Sequence, residues 1–208
     1  MAVPRCWRDA DGVAAMQDFF AIPPPRSAAI RGLMRELVSK CPFEQRCAAD
    51  LARRVSAREP GILKKYGPTL IDLAADPDSG EWQTRGYLML AAALNACTQA
   101  QRIRLSVPVR AMLSDERIAL RAIAVEAFSI LAAAEPELRE EAMLLLERCR
   151  RNGTTAERLR ARRMLLLLLS AEKSTSSGKD QSLGVNPIVC KVRRESDFLS
   201  ILPPGRGN

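Results

Sequence analysis

The sequence predicts an all-α protein built as a right-handed stack of two-helix hairpins, and three observations carry that expectation. Apolar residues recur at three-and-four spacing along most of the chain, as in Leu120, Ala124, Ala127, Phe128 and Leu131, which keeps one helical face on a neighbour. Aromatics make up only 4% of the residues, and Ala and Leu dominate an apolar fraction of 47%, a mixture that packs helices better than it fills a sheet. Finally, the helical pattern repeats at intervals of 36 to 40 residues, as the positions below show.

Residues 1–24 are expected to form an N-terminal cap with one short helix from about Asp11 to Phe20, where Val13, Met16, Phe19 and Phe20 share a face. Pro23, Pro24 and Pro25 stop that helix. In the first hairpin, Ile30, Leu33, Met34, Leu37 and Val38 define one amphipathic face and Cys47, Ala48, Leu51, Ala52 and Val55 the next. The second hairpin runs from Ile62 to Ala75 and from Glu81 to Ala96, with turn chemistry in Asp76-Pro77-Asp78-Ser79-Gly80. A third spans Gln99 to Leu113 and Asp115 to Ala133, Asp115 opening its second helix. The fourth spans Pro136 to Arg151 and Thr154 to Ser170, with Asn152-Gly153 expected to supply a left-handed stop and Thr154 or Thr155 the next cap. Taking Arg121 as the anchor, the equivalent positions are Gln45, Arg85 and Arg158, at separations of 40, 36 and 37 residues, with Arg160 the alternative in the fourth hairpin. The helical array is thus assigned to residues 25–171, and residues 172–208 to a mostly disordered tail. That tail opens on Ser174-Thr175-Ser176-Ser177-Gly178 and contains two apolar runs, Ile188 to Val192 and Phe198 to Leu202, the latter able to pack back on the last helix.

Over roughly residues 26 to 170 the chain resembles the HEAT-repeat, armadillo-like α-solenoid family. Pro108 in a first helix, Asp115 in the turn and Arg121 six residues later match the family pattern; the other hairpins match more loosely, with Pro68, Asp78 and Arg85 in the second and Thr154 or Thr155 with Arg158 in the fourth. The resemblance implies that Asp115, Arg121, Arg85 and Arg158 form a structural ladder between adjacent repeats. It also implies that the second helices line a concave groove. Five and eight residues past the anchors lie Asp50, Leu90, Glu126 and Arg163, then Arg53, Ala93, Ser129 and Leu166, a mixed surface with no continuous basic stripe.

Enzyme chemistry finds little support in the residues. The chain has no His, which removes the usual general base and any Ser-His-Asp or Cys-His site. Ser177-Gly178-Lys179-Asp180 lacks the earlier glycine and the preceding strand of a phosphate loop. Six cysteines (Cys6, Cys41, Cys47, Cys97, Cys149 and Cys190) include no CxxC pair, so neither a metal nor another cofactor is expected, and most read as reduced core residues. Alkylpurine DNA glycosylases are also built on HEAT-like repeats, and Trp82 with Asp78 is the one pairing that resembles their aromatic-plus-acid cleft. The longest apolar run, Met164 to Leu169, is far short of a bilayer span. A cytoplasmic protein without membrane insertion follows as the expectation.

Lys and Arg total 32 against 24 Asp and Glu, a formal charge of +8. The excess is spread thinly: 2 basic and 3 acidic groups in residues 1–20, 24 and 18 in 21–172, and 6 and 3 in 173–208. Function is therefore expected to be non-catalytic. The chain would be a scaffold that binds an acidic protein or peptide along the groove through Arg53, Arg54, Leu90, Ala93, Glu126 and Arg163. The alternative is sequence-nonspecific nucleic-acid binding through Arg53, Arg54, Arg148, Arg150, Arg151, Arg158, Arg160, Arg162 and Arg163, for which so few aromatics offer little base stacking.

Overall fold

A computed structural model describes residues 12–76 and 81–176, with side chains described up to residue 170. Among these residues all regular structure is helical: α1 Gly12–Ala21, α2 Ser27–Glu36, α3 Pro42–Arg58, α4 Gly67–Ala75, α5 Trp82–Asn95, α6 Gln99–Met112, α7 Ile118–Ala134, α8 Arg139–Asn152 and α9 Thr155–Ser176. Short 3₁₀ turns, Lys64–Tyr66 and Pro136–Leu138, lead into α4 and α8. Helices α3, α5, α7 and α9 begin at residues 42, 82, 118 and 155, separations of 40, 36 and 37 residues. These are the separations of the sequence anchors.

The starts of these helices follow from local chemistry. Pro42 occupies the first turn of α3, where its missing N–H is no loss. Thr98 and Gln101 form a reciprocal capping box before α6. Thr154 and Glu157 do the same for α9, the Thr154 N–H donating to Glu157 Oε2 at 2.7 Å and the Glu157 N–H to the Thr154 hydroxyl at 3.4 Å. Several boundaries differ from those expected. The second hairpin's first helix is broken, because Gly67 and Pro68 restart the chain as α4 after the 3₁₀ turn. Asp115 does not open α7; its carboxylate accepts the Arg117 N–H at 2.9 Å, and the helix begins after that turn at Ile118. Gly153 ends α8 with an extended backbone, φ −74°, and not a left-handed one. What requires glycine there is space, since a Cβ would collide with the Cys149 carbonyl, whose oxygen already accepts the Gly153 N–H. The last helix continues to Ser176, past the expected stop at Ser170.

The hairpins α2/α3, α4/α5, α6/α7 and α8/α9 each pack together, and α3, α5, α7 and α9 contact one another in that order, while α4 lies beside α6. Helix α1 packs on α3 and buries Phe19 completely. One continuous apolar core runs from Ala15 to Leu168. At its centre α5 and α7 are buried almost all round, which their small residues allow. Gly86 marks the closest approach: a Cβ there would lie 3.0 Å from the Ile123 side chain and 3.2 Å from that of Leu120. A buried asparagine ties three elements together, Asn95 donating to the Ser56 hydroxyl at 2.8 Å and to the Ala91 carbonyl at 2.7 Å while its Oδ1 accepts the Leu63 N–H at 2.8 Å. The expectations for residues 1–11, for Asp78 in the turn before α5, and for the tail from residue 177 fall outside the described residues.

Candidate interaction surface

Eight polar contacts between residues far apart in the chain fall at one interval. Arg26–Glu59, Arg46–Glu81, Asp72–Arg104, Arg102–Glu135, Arg110–Glu141, Arg121–Glu157, Glu126–Arg160 and Ser56–Asn95 join residues 31 to 39 apart, the length of one hairpin. Six of them pin a hairpin to its successor, while Arg26–Glu59 and Arg102–Glu135 tie the start of a hairpin's first helix to the end of its second.

Arg121 is central to this network. Its Nε donates to Glu157 Oε1 at 2.8 Å, and its Nη1 donates to the backbone carbonyls of Asp115 at 2.9 Å and Glu116 at 3.1 Å. Arg121 thus joins the start of α7 to the start of α9, but it takes the carbonyl of Asp115 and not its carboxylate. Burial pushes the Glu157 carboxyl up, yet the bonds from Arg121 and from the N–H and hydroxyl of Thr154 outweigh it and hold the group below the usual carboxylate range. The other two expected ladder positions differ. Arg85 is half-buried on α5, and its Nε has no hydrogen-bond partner among the described residues. Arg158 points to solvent without an ion pair among them. In the last hairpin the ladder acts through the acid one residue earlier, Glu157. The sequence signal for that acid was the Thr154-x-x-Glu157 capping box, which the search for an arginine at the anchor passes over.

The groove residues expected to meet a partner are engaged internally. Leu90 and Ala93 are buried, 4% and 5% exposed, so they belong to the core and are not an apolar docking patch. Glu126 is also buried; it accepts from Arg160 Nε at 3.0 Å and lies 3.8 Å from Arg163 Nη2, which corrects the assignment of Glu126 and Arg163 to a partner. Arg53 and Arg54 both turn onto Asp50, Arg54 at 2.7 Å, and the Arg53 guanidinium stands 5.1 Å over the Tyr87 ring. Close packing of α5 against α7, seen where Gly86 meets Ile123 and Leu120, accompanies the burial of Leu90, Ala93 and Glu126.

Recesses lie beside these residues. One of about 180 Å³ is lined by Arg46, Cys47, Asp50, Gln83 and Tyr87, and one of about 340 Å³ by Arg121, Val125, Arg148, Cys149 and Glu157. Burial pushes both thiols up, with the Glu157 charge adding to the effect on Cys149, so neither is a ready thiolate at neutral pH. Among the described residues no group of three His, Cys, Asp or Glu is placed to hold a metal ion.

The outward face of α9 is different in kind. Leu159, 71% exposed, Leu166 and Leu169 stand on it together with exposed Arg158 and Arg162. Spacings of seven and three residues keep the three leucines on one stripe about 15 Å long. Some exposed arginines elsewhere are paired, Arg104 with Asp72 at 2.5 Å, Arg110 with Glu141 at 2.6 Å and Arg150 with Glu147 at 2.9 Å, while exposed Arg31, Arg35 and Arg148 have no ion pair among the described residues. Neither Arg158 nor Arg162 has an ion pair among the described residues. Comparison of the chain with protein families, with curated proteins and with solved structures finds no match.

Proposed function

We propose that the chain is a HEAT-like α-solenoid of four helical hairpins that acts as a non-catalytic scaffold, docking a protein partner on its last hairpin. The observation that carries this reading is the recurring interval of the polar contacts between successive hairpins, 31 to 39 residues, together with second helices that touch in strict order. Stacked repeats produce that pattern because each unit contacts only its neighbours. A stack of this kind has an end, and terminal units ordinarily present a polar outer face. Here the last described helix carries three exposed leucines, which favours a covering partner. The absence of His from the sequence and the protonated state of Cys47 and Cys149 support a role without catalysis. No described helix is long and apolar enough to cross a membrane, and the four described cysteines are free thiols, in keeping with a reducing, cytoplasmic setting.

The test is affinity capture from an extract of the producing cell with the full chain as bait. A stoichiometric protein retained by the native chain and lost with Leu166→Asp supports the scaffold; equal capture by both chains removes the last hairpin as its surface. Nucleic-acid binding is the second reading, favoured by the +8 charge and by Arg158 and Arg162, which have no ion pair among the described residues. It requires retention on DNA that falls with salt and disappears with Arg158→Glu/Arg162→Glu while Leu166→Asp leaves it intact.

A further inference from the structure

Resting on the scaffold reading, the geometry of α9 points to the chemistry of the occupant: we infer that this face takes an amphipathic helix whose apolar stripe is flanked by Asp or Glu. The face offers two things at once. Leu159, Leu166 and Leu169 form an apolar strip with the spacing of a helix surface, so a second helix presenting residues at i, i+3 or i+4 and i+7 lies along it with its ridges between theirs. Arg158 and Arg162, one turn apart, edge the N-terminal part of that strip.

Charge complementarity selects the sign of the occupant. Arg160 and Arg163 on the adjoining side of α9 turn inward to Glu126, whereas Arg158 and Arg162 are left with no carboxylate among the described residues. Leu144 and Val107, the other strongly exposed apolar residues on the first helices, lack this combination. Leu144 is a single exposed leucine, one turn from exposed Arg148 on a helix that also carries Glu140, Glu141 and Glu147, and Val107 stands on a helix whose Arg104 and Arg110 are already bound to Asp72 and Glu141. An acidic flank on the incoming helix supplies the carboxylates that α9 lacks, speeding encounter and fixing its direction.

The experiment uses the full chain and two fluorescein-labelled 18-residue helical peptides of one design, with Leu at i, i+3 and i+7 flanked by Glu in one and by Lys in the other, read by anisotropy. The Glu-flanked peptide is expected to bind with an affinity that falls as salt rises, and the Lys-flanked peptide to bind at least tenfold more weakly. Leu166→Asp abolishes binding, Val107→Asp leaves it unchanged, and Arg158→Glu/Arg162→Glu weakens the Glu-flanked peptide at least tenfold while restoring the Lys-flanked one. All three sites are exposed, and circular dichroism confirms that each variant keeps its helices. Equal binding of both peptides, or indifference to Leu166→Asp, overturns the inference. So does self-association lost with Leu166→Asp in the absence of peptide binding, which makes the occupant a second copy, or retention of DNA by the same face with no peptide bound. Any of these leaves the scaffold reading to stand or fall on its own capture experiment.

Discussion

The first helices of the hairpins and the second helices are fastened by the same residue types in different surroundings. On the outer row, Arg104–Asp72 joins α4 to α6 and Arg110–Glu141 joins α6 to α8, in solvent; the Glu141 side chain is 49% exposed. On the inner row, Arg121–Glu157 and Arg160–Glu126 join α7 to α9 out of water, the Glu126 side chain being 7% exposed. Exposed pairs gain little because water already solvates both ions, whereas breaking a buried pair strands a charge where nothing replaces its partner. The inner row is therefore where the array is held in register, and the outer row is where it tolerates change.

That contrast is most sharply tested by removing Glu126. Glu126→Ala leaves Arg160 and Arg163 without their carboxylate and is expected to lower stability by about 3–5 kcal/mol, measured by urea unfolding. Asn95→Ala strands the Leu63 N–H and the Ser56 hydroxyl, for an expected loss of about 2–3 kcal/mol in the same assay. Gly86→Ala places a methyl group against Ile123 and Leu120 at the α5–α7 contact and is expected to lose about 1–3 kcal/mol, with repacking of those two side chains.

Acid acts on both rows. The Arg110 hydrogen bond lowers the Glu141 carboxyl, as the bonds to Glu157 lower that group, so each is depressed in the folded state relative to the unfolded chain. A depressed carboxyl contributes stability that is fully present above its unfolded pKa of about 4.3 and is lost as pH falls through the folded value. The urea midpoint should decline below that point. The acid-dependent part of that decline should shrink with Glu157→Gln, which keeps most of the shape while abolishing the charge. The smallest effect is expected for Arg110→Ala, less than about 1 kcal/mol, because its partner returns to water. A loss comparable to that of Glu126→Ala would erase the distinction between the rows.

Much of the helical plan was legible in the residues. Apolar spacing located the helices because a buried stripe must recur at the helical period, and the separations of 40, 36 and 37 residues reappear in the starts of α3, α5, α7 and α9. Boundaries were less legible where two signals compete. Asp115 resembles a helix cap, but its carboxylate is used one turn earlier, and Gly153 resembles a left-handed stop while serving as a gap beneath the Cys149 carbonyl. The interaction surface was the least legible part. Leu90, Ala93 and Glu126 differ from Leu159, Leu166 and Leu169 in what stands opposite them, and residue type carries no record of that.

By itself the sequence determined that the described residues are helical, that their hairpins recur and that the chain contains no histidine, because periodicity, helix capping and composition are local properties. Tertiary structure decided which charges are buried and which leucines face water. Those outcomes depend on how closely α5 and α7 approach through Gly86 and their alanines, and on α9 having no second helix among the described residues beyond it. The physical reason is that burial belongs to a pair of surfaces, and a chain read one residue at a time contains only one of the two.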